Sequence, residues 1–169
     1  NFGTAVVEPL APDTELPEEF ASGKLATTGA VQQATSAGIQ AWKDAGHAKA
    51  KLCDQQIIAR HAQAQLDARI DLDQGPRLKF GKKYVEGGTG VRHSSIEKIA
   101  GFPAGELSSP EKLQKVGTRL QRTGTFSTVS IQERDTPNPD GTLDFDATFE
   151  DLPKRRLTFG VELASRDGL

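Results

Sequence analysis

The stretch that decides the fold is Ser108 to Ile131, SSPEKLQKVGTRLQRTGTFSTVSI. It predicts an amphipathic helix followed by a strand. Ser108 or Ser109 can cap the helix start, and Pro110 suits the first helical turn. With Ser108 as the cap, Glu111 completes a capping box. Gly124 suits the left-handed residue just past the helix end. Apolar residues form one stripe of the helix and continue into the strand, at Leu113, Val116, Leu120, Phe126, Val129 and Ile131.

The composition describes a chain with a modest hydrophobic core. Of 169 residues, 36% are hydrophobic and 26% are charged, and the net charge of −2 gives no general preference for nucleic acid. No run of 18 apolar residues predicts a transmembrane helix. The single cysteine, Cys53, excludes an internal disulfide, and we expect it to be buried. With no methionine at position 1, we interpret the sequence as part of a longer protein.

Two halves of the chain repeat one order of elements, which is strand, helix, helix, glycine, strand, turn and strand. Gly46 and Gly124 end the longer helices, and the alternating strands that begin at Leu66 and Leu143 follow them, at an offset of about 77 residues. We therefore predict an α+β fold with two β-α-α-β-β domains, 1–76 and 77–154, each with two helices on a three-stranded mixed sheet. The predicted helices cover about 17–25, 28–45, 94–100 and 109–123, with Ser94 or Ser95 capping the third.

Residues 155–169 break the repeat. Leu157, Phe159, Val161 and Leu163 alternate with other residues, but no partner strand follows them. This alternation suits the first strand of a transmembrane β-barrel, and an edge strand or a tail is the alternative.

Several short motifs resemble polypeptide-transport-associated (POTRA) domains. They are Leu120-x-x-x-Gly124-x-Phe126-x-x-Val129, Gly75-Pro76-x-x-x-Phe80-Gly81 and Phe102-Pro103-x-Gly105. The sequence is most similar to the outer-membrane assembly factors that include BamA and TamA. Trp42-x-x-x-Gly46-His47 makes the TamA type the nearer one, with 1–76 as the penultimate and 77–154 as the last POTRA domain.

The resemblance implies a non-enzymatic scaffold on the periplasmic side of the bacterial outer membrane. Its expected partners are unfolded outer-membrane proteins, including autotransporters, and an assembly protein of the TamB type. The alternative within the same family is a BamA-type protein or a secretion transporter. No cofactor and no nucleic-acid partner are expected.

Two surfaces are candidate binding sites. In this fold class the strand after the glycine lies at a sheet edge, so its backbone can pair with an extended client. The candidate edge is Ser127, Thr128, Val129, Ser130 and Ile131. One face of the preceding helix is basic and is a candidate contact for membrane headgroups or an acidic partner, through Lys112, Lys115, Arg119 and Arg122.

Carboxylates offer the alternative of another class, a periplasmic hydrolase. Asp67, Asp71, Asp73, Asp144 and Asp146 alternate along two strands. Acid–base catalysis needs a pocket that shifts pKa values, whereas period-two spacing predicts a solvated sheet face. His47, His61 and His93 are too scattered to predict a metal site. We therefore expect no catalytic or metal-binding residues.

Overall fold

A computed structural model describes residues 1–86 and 89–152 of the chain. It contains two three-stranded mixed sheets, in the strand orders β1-β3-β2 and β4-β6-β5. This confirms the predicted α+β class. The predicted barrel strand at 155–169 and the glycines at 87–88 lie outside the described residues. The strands are β1 Phe2–Glu8, β2 Lys51–Arg60, β3 Gln65–Asp73, β4 Lys79–Glu86, β5 Phe126–Glu133 and β6 Thr142–Asp151, and the helices are α1 Thr28–Asp44, α2 His93–Ala100 and α3 Pro110–Gln121.

In each sheet the last strand lies in the middle. β3 pairs parallel with β1 and antiparallel with β2, and β6 pairs in the same way with β4 and β5. The middle strands carry the apolar alternation that the sequence predicts, so one face of each sheet is buried under helices. Ile70 and Phe145 are fully buried at these positions.

The first domain differs from the prediction because residues 17–25 form turns rather than a helix. Gly23 has a φ of 85°, which a helix cannot contain. The backbone of this segment bonds to β1 instead, where Phe2 N–H donates to Lys24 C=O and Gly23 N–H donates to Phe2 C=O, both at 2.8 Å. Phe20 packs edge-on against Phe2, with ring centroids 5.3 Å apart. These tertiary contacts outweigh the helix-start pattern after Pro17.

Helix ends follow the predicted glycines, and one of the two predicted caps of α3 is confirmed, but the capping box at α3 and the serine cap at α2 are wrong. Thr27 Oγ1 accepts a hydrogen bond from Ala30 N–H and begins α1, as expected. At α3 the cap residue is Ser109, and no capping box forms because Ser108 is buried and donates its N–H to Leu78 C=O. At α2 the cap residue is Arg92 rather than a serine.

Each domain has its own apolar core. Phe2, Phe20, Val31, Ala34 and Ile70 belong to the first core. In the second domain α2 and α3 cover Phe126 and Phe149, whose ring centroids are 5.0 Å apart, together with Ile96, Val116 and Leu120.

One contact region joins the two domains. Leu78 N–H donates to Gly46 C=O at 2.9 Å, and Arg77 Nε donates to Ala45 C=O at 3.2 Å. Ala48 is buried in a cluster with residues of the second domain, namely Leu78, Phe80, Leu143 and Phe145. The loop after α1 therefore packs against one end of the second core.

Within residues 1–86 and 89–152, none of the helices combines the length and the hydropathy that crossing a bilayer would require.

Candidate functional site

Strand β5 lies at an edge of the second sheet. Its register pairs Thr128 with Glu150 and Ile131 with Ala147 of β6. In the part of the chain that the structure describes, β6 is the only strand that pairs with β5. The edge residues predicted from the sequence, Ser127, Thr128, Val129, Ser130 and Ile131, therefore lie on a strand with one unpaired side.

Hydrogen bonds define which backbone groups of β5 face outward. Arg134 N–H donates to Asp144 C=O at 2.9 Å, so residue 134 faces β6. Successive residues of a strand turn their backbone groups to opposite sides. Thr128 and Ser130 therefore face β6, whereas Val129 and Ile131 direct their N–H and C=O groups outward.

The opposite edge of this sheet is partly covered by the chain itself. Phe80 N–H of β4 donates to Glu106 C=O, and Gly105 N–H donates to Phe80 C=O, both at 2.8 Å. The segment 105–108 thus occupies the start of the β4 edge, as the segment 22–24 occupies the start of the β1 edge. Of the two sheet edges in this domain, β5 has the longer unpaired side among the described residues.

A groove of about 320 Å³ runs between α3 and β5. Val129 and Ile131 form its apolar side, and α3 contributes Gln114, Thr118 and Gln121. Gly117 lies in the middle of the helix wall, where an added Cβ would meet no atom within 4 Å. Successive side chains of a strand point to opposite faces of a sheet. An extended chain paired with β5 would therefore place every second side chain in this groove, beside the side chains of β5 that line it.

Two of the four cations on the basic face of α3 form ion pairs within the domain. Lys112 Nζ lies 2.6 Å from Glu106, and Lys115 Nζ lies 2.6 Å from Glu111. Arg119 donates to the C=O of Ala100 at 3.1 Å and so holds the end of α2. Arg122 is the C-cap residue of α3 and is exposed. Contact of this face with headgroups or an acidic partner stays a prediction.

Two of the alternating aspartates accept backbone hydrogen bonds from the neighbouring strand, and Asp144 also lies beside a surface pocket that Gly81 and Thr142 line. Asp67 Oδ1 accepts from Thr4 N–H at 2.8 Å, and Asp144 Oδ1 accepts from Lys82 N–H at 2.7 Å. Both bonds lie at bulges of the outer parallel strand, between Phe2 and Ala5 and between Phe80 and Lys83. The prediction that Asp144 lies on a solvated face is wrong, since only 7% of it is exposed.

The environment of Asp67 favours its ionised form. Partial burial by itself would raise the pKa of this carboxyl, but the Thr4 N–H and the Arg60 guanidinium outweigh it and lower the pKa below its ordinary value. General acid catalysis requires the opposite shift. Asp146 accepts three hydrogen bonds from Arg134, whose Cζ also lies 3.9 Å from the centroid of the Tyr84 ring. These contacts assign structural roles to Asp67, Asp144 and Asp146.

The histidines remain apart from one another. His47 Nδ1 lies 2.9 Å from Gly75 C=O and its ring contacts Trp42, which places it at the domain junction. His61 lies in the turn before β3, and His93 begins α2. Among the described residues, no three His, Cys, Asp or Glu side chains are grouped as metal ligands.

The sequence predicts a strand at 50–59, but it did not identify this strand, β2, as an exposed edge of the first domain. All ten residues of β2 are exposed, including Ile57 at 48% and Ile58 at 57%. The prediction that Cys53 is buried is therefore wrong. The signal in the sequence is the pair of consecutive isoleucines, Ile57 and Ile58. In a strand they place one apolar side chain on each face, so one of them must lie on the face away from the helices.

This architecture is that of two POTRA domains in tandem. Among solved structures the chain is similar to BamA from Haemophilus ducreyi lacking POTRA domains 1–3, with a TM-score of 0.68 and 20% identity over 90% of this chain and 29% of that one. It is also similar to POTRA3–5 of Haemophilus influenzae BamA, with a TM-score of 0.68 and 18% identity over 80% of this chain and 53% of that one. The chain thus spans less than a third of the first structure and about half of the second. No protein-family model and no curated protein matches the sequence.

The likeness establishes the fold, so the predicted resemblance to POTRA domains of the BamA and TamA type is confirmed at that level. The nearer resemblance to TamA and the boundaries 1–76 and 77–154 stay predictions.

Proposed function

We propose that the chain is a periplasmic scaffold of an outer-membrane β-barrel assembly or translocation protein. In this proposal it binds unfolded outer-membrane proteins, autotransporters among them, at the edge of β5. The fold shared with POTRA domains of BamA supports the scaffold role. A partner of the TamB type and contact of the α3 face with headgroups belong to the same proposal.

The observation that carries this proposal is the outward backbone of Val129 and Ile131 beside the α3 groove. An added strand gains main-chain hydrogen bonds there, and its alternate side chains enter a groove with an apolar side and a polar side. Main-chain recognition is tolerant of sequence, which suits a scaffold that receives many different clients.

Proline substitution tests the main-chain part of this site. Val129→Pro removes one outward N–H, and we expect it to lose cross-linking to an unfolded barrel-protein peptide while native circular dichroism is kept. Val129→Ala is the matched control, because it keeps the N–H, and it should retain most of the binding. Ser130→Pro removes an N–H that faces β6 and should unfold the sheet.

Alanine substitutions at Ser127, Thr128 and Ser130 should change client binding little. Equal loss of binding in these variants would mean that side chains carry recognition, and the main-chain proposal would then be wrong.

Gly117 offers a second test that leaves β5 untouched. Gly117→Leu places a side chain in the groove and should prevent cross-linking of the peptide. Gly117→Ala is the matched control, since its methyl group leaves the groove open and should stabilise α3 by about 1 kcal/mol. If Gly117→Leu binds the peptide as well as Gly117→Ala does, the groove is not the binding site.

A further inference from the structure

Strands β1 and β4 repeat a short sequence at equivalent places in the two domains. The residues from Phe2 to Glu8 are FGTAVVE, and those from Phe80 to Glu86 are FGKKYVE. Each strand pairs parallel with the middle strand of its sheet and has a bulge directly after the phenylalanine. The repeat therefore allows the two strands to be compared residue by residue.

One position on the core side breaks this repeat. Ala5 in the first domain corresponds to Lys83 in the second, since each is the first paired residue after the bulge. Ala5 pairs with buried Ala68 and packs against the first core. Lys83 pairs with buried Phe145, so its side chain leaves the sheet on the same face. Because the fold accepts alanine at the equivalent position, it does not require a charge there.

The surroundings of Lys83 do not compensate for its charge. Partial burial lowers the pKa of its ammonium group below the ordinary value of 10.5, and attraction to Glu97 of α2 offsets only part of this effect. In the described part of the chain, the Lys83 side chain forms no ion pair and no hydrogen bond. A cation that has lost part of its water in this way is stabilised by a close anionic partner.

A cavity of about 440 Å³ opens at this side chain. Residues that line it come from β4, from α2 and from the segment after α2, and include Lys83, Tyr84, Glu97, Phe102 and Ala104. The ring of Phe102 is held edge-on against Phe80 and Phe145, with centroid distances of 5.5 and 5.6 Å. The cavity thus combines a fixed aromatic surface with a cation, and its volume lies in the range of small-molecule sites.

We infer that this cavity binds a small molecule that carries one carboxylate on an apolar body about the size of a benzene ring. The carboxylate pairs with the ammonium group of Lys83, and the apolar body packs against the ring of Phe102. A single negative charge fits best, because Glu97 also lines the cavity and would repel a second anionic group. The site is separate from the β5 edge, so this inference goes beyond the proposed function and does not depend on it.

Fluorine NMR of the ligand tests the site, with para-fluorophenylacetate as the probe. The matched control is para-fluorophenylethanol, in which a hydroxymethyl group replaces the carboxylate on the same ring and methylene. At neutral pH we expect the acid to bind the whole chain about tenfold more tightly than the alcohol, as a hydrogen-bonded charge should. Equal affinities would mean that no cation contributes to binding, and they would overturn the proposal.

Substitutions assign the cation. Lys83→Met removes the charge but keeps an unbranched apolar side chain, and it should weaken binding of the acid about tenfold. Lys79→Met is the matched control, because Lys79 is an exposed lysine of the same strand outside the cavity, and it should keep the affinity within about twofold. An equal effect of these two variants would contradict the proposal.

Glu97→Gln provides a second variant at an exposed position of α2. It removes a negative charge that competes with the ligand for Lys83, so it should strengthen binding of the acid by about twofold or more. Circular dichroism shows whether each variant is folded, and Glu97→Gln still tests the site if Lys83→Met does not fold. Unchanged or weaker binding to folded Glu97→Gln would contradict the proposal.

The dependence on pH should identify Lys83 as the cation. Binding needs the ammonium form, so the affinity for the acid should fall as the pH rises through the lowered pKa of Lys83. Lys82, Tyr84 and Glu97 also line the cavity, and all three are kept in Lys83→Arg, whose guanidinium stays charged. This variant should therefore retain its affinity to a higher pH. A profile that Lys83→Arg leaves unchanged would assign the charge to another group and overturn the proposal.

A lysine that points toward the core can also protect a free strand edge from pairing. If this is its only role, Lys83→Met should make the chain self-associate in analytical ultracentrifugation and leave the affinity for the acid unchanged. That result would overturn the proposal, whereas loss of binding in a monomeric, folded Lys83→Met variant supports it. Client binding at β5 is tested separately, so failure of this site leaves the proposed function as it stands.

Discussion

Asp67 and Asp144 show how one residue type repeats a structural task in both domains. Each precedes a buried residue of the middle strand and accepts a backbone N–H from a bulge in the neighbouring parallel strand. The bulge contains Gly3 in one domain and Gly81 in the other, where a Cβ would overlap the aspartate Oδ1. The hydrogen bond from the bulge to the aspartate therefore requires a glycine at this position of the bulge. The pair of residues has a structural role in each domain.

Stability at acid pH should report the role of Asp67. Its pKa is lowered in the folded state, so its contribution is present above its ordinary value of 3.8 and disappears as the pH falls below that value. We expect Asp67→Asn to lower the urea midpoint at pH 7 and to lower it less at pH 3. Asp13→Asn, at an exposed turn residue, is the control and should change neither midpoint. An equal loss at both pH values would mean that the charge contributes nothing.

Phe126 should contribute strongly to the stability of the second domain, because it belongs to its apolar core. The ring is 6% exposed and packs against Phe149 under α3. Phe126→Ala should lower the free energy of unfolding by about 3–5 kcal/mol, because it loses transfer energy and leaves a cavity. Denaturant unfolding measures this, with Gln132→Ala on the exposed face as the control. A loss below about 1 kcal/mol, which is typical of exposed sites, would place the ring outside the core.

Helices and strands that bury one face were predictable, because the periodic spacing of their apolar residues indicates which face is buried. Helices α1 and α3 and the alternating strands β3 and β6 lie close to their predicted positions. The segment 17–25 was not predictable from local pattern, because its conformation depends on hydrogen bonds to Phe2. The exposure of β2 also depends on tertiary structure, because this strand lies at a sheet edge and pairs with β3 alone among the described strands.

At the candidate site, the sequence located the edge strand but not its groove. The glycine followed by a β-branched run placed β5, and the resemblance placed it at an edge. Which residues face outward depends on a register that only the pairing with β6 defines. The basic face of α3 was predicted from helical spacing, whereas the pairing of Lys112 with Glu106 and of Arg119 with the backbone of Ala100 requires the tertiary fold.

The whole molecule should unfold as two coupled domains. Separate cores predict that fragments 1–76 and 77–152 each fold, with limited proteolysis cutting near Gly75 to Phe80. The second fragment should be less stable than the same domain in the intact chain by about 1–3 kcal/mol, because Leu78 and Phe80 lose their cover at Ala48. Calorimetry of both fragments and of the intact chain measures this difference. A single transition that neither fragment reproduces would contradict the two-domain organisation.

The burial of Ala48 against the second domain also limits how such domains can be exchanged between proteins. A tandem array invites exchange of one unit for a homologous one, with the cut placed between Asp73 and Leu78. Here that cut would separate the second domain from the loop whose Ala48 is buried at its end, and would separate Leu107 from Gly46, against which it packs. The portable unit is therefore larger than one domain. A functional chimaera would have to keep residues 45–50 together with the second domain against which they pack. The loop and its contact surface on that domain should therefore change together between related proteins.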